Sequence, residues 1–62
     1  MITETDKTAL IRELTQKFGR LTHQDITDAV NECLENNDSI DLVRTCATNK
    51  LRELLRKLKR KP

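Results

Sequence analysis

The apolar residues near the start of the chain recur at the spacing of an amphipathic helix. They fall at i, i+1, i+4 and i+8, and they are Leu10, Ile11, Leu14 and Phe18. This spacing predicts a first helix over about residues 5–18. Glu4 and Asp6 lie where the positive end of a helix dipole favours carboxylates. Gly19 follows the apolar run and is predicted to end the helix in a left-handed conformation.

The next helix has a clear start signal at Thr22. The Thr22 hydroxyl is placed to accept the backbone N–H of Asp25, and the Asp25 carboxylate is placed to reach back as in a capping box. Leu21 and Ile26 bracket this cap as a hydrophobic staple. The second helix is predicted over residues 23–35 and ends in the polar run 36–38. Its core stripe consists of Ile26, Ala29, Val30, Cys33 and Leu34.

A third apolar stripe predicts a long last helix over residues 39–60, capped by Asp38 or Ser39. The stripe advances in steps of 4, 4, 3 and 4 through Val43, Ala47, Leu51, Leu54 and Leu58. An alternative makes Ile40 to Val43 a short extended segment, with the helix beginning near Thr48 or Asn49. The favoured interpretation is an all-α chain of three helices that forms one small domain over residues 1–62.

The small size of the chain indicates that a partner subunit completes the fold. A domain near 60 residues buries only about 60% of the surface its unfolded chain exposes. Two cysteines and one histidine, in a chain of 62 residues, provide neither a disulfide framework nor the four ligands of a zinc site. We therefore expect a homodimer, with an interface that includes Leu51, Leu54, Leu55 and Leu58.

The charges are unevenly distributed along the chain. Residues 1–41 carry four basic and nine acidic side chains, a net charge of −5, whereas residues 42–62 carry eight basic side chains and one acidic, a net charge of +7. An acidic body followed by a basic helix indicates an anionic partner, most often nucleic acid. The predicted phosphate contacts are Lys50, Arg52, Arg56, Lys57, Lys59, Arg60 and Lys61.

Other interpretations of the basic helix stay open. Cations around a leucine stripe also solubilise a core helix and suit the negative end of its dipole. A membrane-surface helix is less favoured, since the segment has no aromatic anchor. No apolar run approaches the 18 residues of a membrane span, and residues 1–8 lack the pattern of a signal peptide. We expect a cytoplasmic protein with reduced thiols and no membrane contact.

Enzymatic chemistry is not expected from this sequence. Three short helices are predicted to form no cleft of several hundred cubic ångström, and there is no glycine-rich phosphate loop, cofactor motif or metal site. His23 is predicted to be solvated in the first turn of the second helix. Cys33 is predicted to be a small buried residue rather than a nucleophile, and Cys46 a less buried one. A disulfide between subunits is a further alternative for either cysteine.

Residues 6–35 resemble the opening helical pair of the HU and integration host factor family of DNA-bending proteins. The matching positions are Lys7, Thr8, Leu10, Ile11, Leu14, Lys17, Leu21, Thr22, Ile26, Ala29 and Val30, and residues 39–43 are similar to the start of the family's first strand. The resemblance implies an intertwined homodimer whose β arms enter the minor groove. This chain lacks the Gly-containing turn and internal proline of those arms, so only the dimerising helical pair carries over.

The sequence therefore predicts a small, non-enzymatic, regulatory or architectural DNA-binding protein. The alternative is a protein-interaction module, an adaptor or inhibitor that docks through its acidic helices or its leucine-rich basic helix. The two differ in whether the cations are free or are paired with the acidic side chains Glu32, Glu35, Asp38 and Asp41.

Overall fold

Three α-helices joined by two short turns make up residues 4–60. The computed structural model describes residues 2–60, without the side chain of Arg60. Helix α1 spans Glu4–Lys17, α2 spans His23–Asn36 and α3 spans Ile40–Arg60. No strand occurs in residues 2–60, so the predicted all-α class and the number of helices are confirmed. None of the three helices is long and apolar enough to cross a membrane.

Side-chain caps define the starts of α1 and α2. Thr3 Oγ1 accepts a hydrogen bond from Asp6 N (3.1 Å), and Thr3 N donates to Asp6 Oδ2 (3.4 Å), which makes a reciprocal capping box that the sequence analysis missed. Thr22 Oγ1 accepts from Asp25 N (3.1 Å), so the predicted cap of α2 is confirmed. The return bond from Thr22 N to the Asp25 carboxylate is not formed, so the predicted capping box at α2 was wrong in its second half.

The turn after α1 differs from the prediction. Gly19 does not adopt a positive φ, and the last residue of the helix cap is Phe18, with φ −114° and ψ 59°. Phe18 N donates to Leu14 O (2.7 Å), and Leu21 N donates to Phe18 O (3.0 Å), so the chain leaves the helix without a residue of positive φ. The predicted left-handed stop at Gly19 was therefore wrong.

Asparagine side chains end α2, and α3 begins four residues later. Asn36 Nδ2 donates to Glu32 O (3.2 Å), and Asn37 Nδ2 donates to Cys33 O (2.9 Å), so both side chains bind backbone carbonyl groups near the end of α2. Val43 N donates to Ser39 O (2.9 Å) and starts α3. The long third helix is thus confirmed, and the alternative with an extended segment over residues 40–43 was wrong.

The core lies along the line where the three helices meet, and α3 packs more extensively on α2 than on α1. Leu34, predicted as a core residue, is only half-buried at its edge. The buried side chains are Leu10, Leu14, Phe18, Leu21, Ile26, Ala29, Val30, Cys33, Val43, Ala47 and Leu51.

A disulfide between Cys33 and Cys46 joins α2 to α3. The two Cα atoms are 5.8 Å apart, Cys33 is fully buried and Cys46 is half-buried. The prediction of reduced thiols was wrong for this structure, and the bond is within one chain, not between subunits. The reason is geometric: the short turn 37–39 packs α3 back on α2, which brings Cys33, in the last turn of α2, next to Cys46, in the second turn of α3.

Candidate polyanion-binding surface

Helix α3 is long enough to extend past the other two helices. It has 21 residues, whereas α1 and α2 have 14 each. Seven additional residues at 1.5 Å each give an extension of about 10 Å. The extension is the C-terminal end of α3, because its other end follows directly from α2. Among the described side chains after Leu51, none is fully buried.

Five of the predicted phosphate-binding residues have exposed side chains on the C-terminal half of α3. Lys50, Arg52, Arg56, Lys57 and Lys59 are all exposed. The side chain of Arg60 lies outside the described part of the structure, although its backbone closes α3, and Lys61 lies outside the described residues altogether.

Two of these cations are on the flank of α3 that faces α2. Lys50 Nζ lies 3.3 Å from Glu32 Oε2. Lys57 lines the same groove as Asp25 and Asp28 of α2. Since Asp25, Asp28 and Glu32 recur at helix spacing, they form one acidic stripe beside α3. The electrostatic field of this flank is therefore mixed.

The other described cations form a second flank, which we call the outer basic face: Arg52, Arg56 and Lys59. They fall at i, i+4 and i+7 and therefore share one side of α3. Within residues 2–60 no carboxylate lies within salt-bridge distance of any of the three. These three cations therefore form no ion pair within residues 2–60.

In the described chain, two cations form ion pairs, Lys50 and Arg44. Besides Lys50, Arg44 contacts Glu13 Oε2 through Nε (3.1 Å) and Asp41 Oδ1 through Nη1 (3.3 Å). These pairs are largely exposed, and such pairs contribute about 0–1 kcal/mol. The acidic residues of the second helix therefore neutralise one predicted site cation, Lys50, and leave the outer basic face unpaired.

The four leucines of the predicted dimer interface differ in exposure. Leu51 is only 1% exposed and belongs to the core of the single chain. Leu54 and Leu55 are half-buried, and Leu58 is 49% exposed. For these four leucines, the interface stays a prediction.

An open groove runs between α2 and α3, which corrects the expectation that no cleft would form. It has a volume of about 430 Å³ and is walled by the acidic stripe and by Lys50, Glu53 and Lys57, with Ala29, Leu51 and Leu54 at its base. His23 is exposed in the first turn of α2, as expected, and lies outside this groove.

No protein-family model, curated protein or solved structure matches this chain. The resemblance of residues 6–35 to the HU and integration host factor family therefore stays a prediction.

Proposed function

We propose that the protein is a small, non-enzymatic DNA-binding protein of regulatory or architectural type, which contacts phosphates through the basic end of α3. One observation carries the proposal. Arg52, Arg56 and Lys59 share an exposed face on a helix that extends beyond the bundle, and no carboxylate of residues 2–60 neutralises them.

The extension makes this face accessible to a large polyanion. Arg52 and Lys59 are separated by about 10 Å along the helix axis. A duplex can approach a projecting helix without meeting α1 or the acidic stripe of α2. Guanidinium groups bind phosphate oxygens in a fixed, often bidentate geometry, so the two arginines are suited to this role.

Binding through this face is expected to depend on charge more than on sequence. Contacts to phosphates position a protein on DNA but carry no base information directly. The outer basic face has no asparagine, glutamine or aromatic ring among its members with which to read base edges. We therefore expect similar affinity for unrelated duplexes.

The homodimer and the cytoplasmic location predicted from the sequence are part of this proposal. The bond between Cys33 and Cys46 bears on the location, because disulfides are rare in a reducing cytosol. Alkylation of free thiols in cells lysed directly into acid and denaturant, which exposes the buried Cys33, tests the location. Cytoplasmic chains are expected to react at both cysteines, and protection of both would argue for an oxidising compartment.

A second candidate function is a protein-interaction module. It is favoured by the partly exposed leucines of the α3 extension, of which Leu58 is the most exposed. In that function the cations surround an apolar contact and select an acidic partner. It predicts no binding to DNA at low salt.

The test compares two double variants that each remove two positive charges. Arg52→Gln/Arg56→Gln removes two of the three positive charges of the outer basic face, and Lys7→Gln/Arg12→Gln removes the same charge from α1. Fluorescence anisotropy with two unrelated duplexes is measured between about 50 and 200 mM salt. Each lost phosphate contact is expected to reduce the log–log salt slope by about 0.9, and the first variant to bind about tenfold or more weakly at 50 mM.

Two results would contradict the proposal. Absence of wild-type binding at about 50 mM salt would leave the protein-interaction module as the better account. An equal loss in both double variants would show that only net charge matters and that the outer basic face has no special role. Circular dichroism of each variant verifies that its helices are intact.

A further inference from the structure

The leucines on the α3 extension lack full cover within the chain. Leu54 and Leu55 are half-buried against the end of the bundle, and Leu58, one turn further on, is 49% exposed. We call Leu54, Leu55 and Leu58 the leucine stripe. An isolated helix end of two turns gains little stability in water by itself, and burial of its apolar face normally stabilises it.

The groove between α2 and α3 adjoins this stripe and is acidic. Four carboxylates line it, those of Asp25, Asp28, Glu32 and Glu53, against the two ammonium groups of Lys50 and Lys57, so its net charge is −2. Glu32 and Lys50 already pair with each other. Asp25, Asp28 and Lys57 form no ion pair in the described chain.

The end of α3 has the composition that this groove would accept. Residues 56–60 are Arg-Lys-Leu-Lys-Arg. Of these, Lys57 lies on the groove flank of α3 and Leu58 follows Leu54 one turn on, whereas Arg56 and Lys59 belong to the outer basic face. The groove offers an apolar base, Ala29, Leu51 and Leu54, between carboxylates. Because the groove and the matching helix end lie side by side on one molecule, the surface is complementary to itself about a twofold axis.

We infer that a second copy of this chain occupies the groove. Each subunit places the end of its α3 between α2 and α3 of the other, so that Leu58 packs over Leu54 of the second copy. Lys57 of each subunit then meets Asp28 of the other. This dimer is a specific form of the homodimer in the proposed function, but it forms without DNA. It uses the groove flank of α3 and leaves the outer basic face open.

Charge exchange provides the test. The sedimentation of the wild type, Lys57→Glu, Asp28→Lys and the combined variant is measured without nucleic acid over about 1–300 μM. The wild type is expected to dimerise in this range. Each single reversal places like charges together and is expected to weaken the dimer about tenfold or more, while the combined variant restores the pair with opposite polarity and recovers most of the affinity.

Leu58→Asp provides a second, independent variant, and Leu58→Ser replaces it if the helical circular dichroism is lost. Either is expected to give monomers with an intact fold. A wild type that stays monomeric at 300 μM would overturn the inference, and so would a combined variant no better than the single reversals. Failure of DNA binding with an intact dimer would instead refute only the phosphate-binding proposal.

Discussion

The two halves of α3 have the same helical pattern but different surroundings. In the first half, Val43, Ala47 and Leu51 are buried, and Cys46 is bonded to α2. In the second half, which begins at Arg52, no described side chain is fully buried, and three cations share one exposed face.

The difference shows that the length of the neighbouring helices, not the pattern itself, decides which leucines form the core. Helix α2 begins at His23, and Asp25 in its first turn lines the groove with Leu54 and Lys57. Beyond that level α2 no longer runs beside α3. One amphipathic helix therefore supplies core residues at one end and an accessible charged surface at the other.

The largest effect is expected when the same charge is placed in the buried half and in the exposed half of α3. Val43→Asp buries a carboxylate with no partner, which is expected to remove about 4 kcal/mol or more, close to the whole stability of so small a domain. Leu58→Asp is expected to change the free energy of unfolding by less than about 1 kcal/mol at low micromolar concentration, where no dimer contributes. Urea unfolding followed by circular dichroism measures both. Equal destabilisation would contradict the division of α3.

Removal of the disulfide tests what holds the first half of α3 in place. Cys33→Ala/Cys46→Ala is expected to lower the free energy of unfolding by about 3 kcal/mol, because the bond closes a short loop in the unfolded chain. A dithiol reductant should destabilise the wild type and leave the double variant unaffected. If the reductant left the wild-type midpoint unchanged, the cysteines would not be bonded in solution.

The cap of α2 lies at the level where α3 leaves the bundle, so weakening it sharpens the boundary between the two halves. Thr22→Ala removes the hydrogen bond to Asp25 N and is expected to cost about 1 kcal/mol. The melting temperature should fall by about 4–8 °C in a domain of this size. Thr22→Ser keeps the hydroxyl and should melt within a degree or two of the wild type. Equal melting of wild type and Thr22→Ala would exclude a role for this cap.

The smallest expected effect is at Gly19, in the turn that closes the same end of the bundle. Its φ is not positive, and a Cβ atom there would meet nothing within 4 Å. Gly19→Ala should therefore stabilise the fold by about 0.4–1 kcal/mol through the unfolded state. A lower melting temperature would instead indicate a left-handed residue, as the sequence alone suggested.

Local signals were sufficient to predict the helices, because caps and apolar spacing act over a few residues. Thr22 and the three apolar stripes determine helix bounds to within one residue of those observed. The pairing of Cys33 with Cys46 and the burial of Leu51 depend on how two helices align in space.

The sequence predicted which cations belong to the candidate site, but not that they divide between two flanks of α3. Sequence spacing places all its cations around one leucine stripe. It does not show that Lys50 and Lys57 face the acidic stripe of α2, or that Arg52, Arg56 and Lys59 face away from it. That division follows from the packing of α3 on α2, and it separates a flank suited to a second subunit from a flank suited to phosphate.

Nuclear magnetic resonance can map the DNA contact and test directly whether the outer basic face binds the phosphates. Duplex DNA is added to the isotopically labelled protein at about 50 mM salt, and amide and arginine side-chain shifts are followed. The largest changes are expected at Arg52, Arg56 and Lys59, with little change along Asp25, Asp28 and Glu32. No change, or changes spread evenly over α1 and α2, would contradict this expectation.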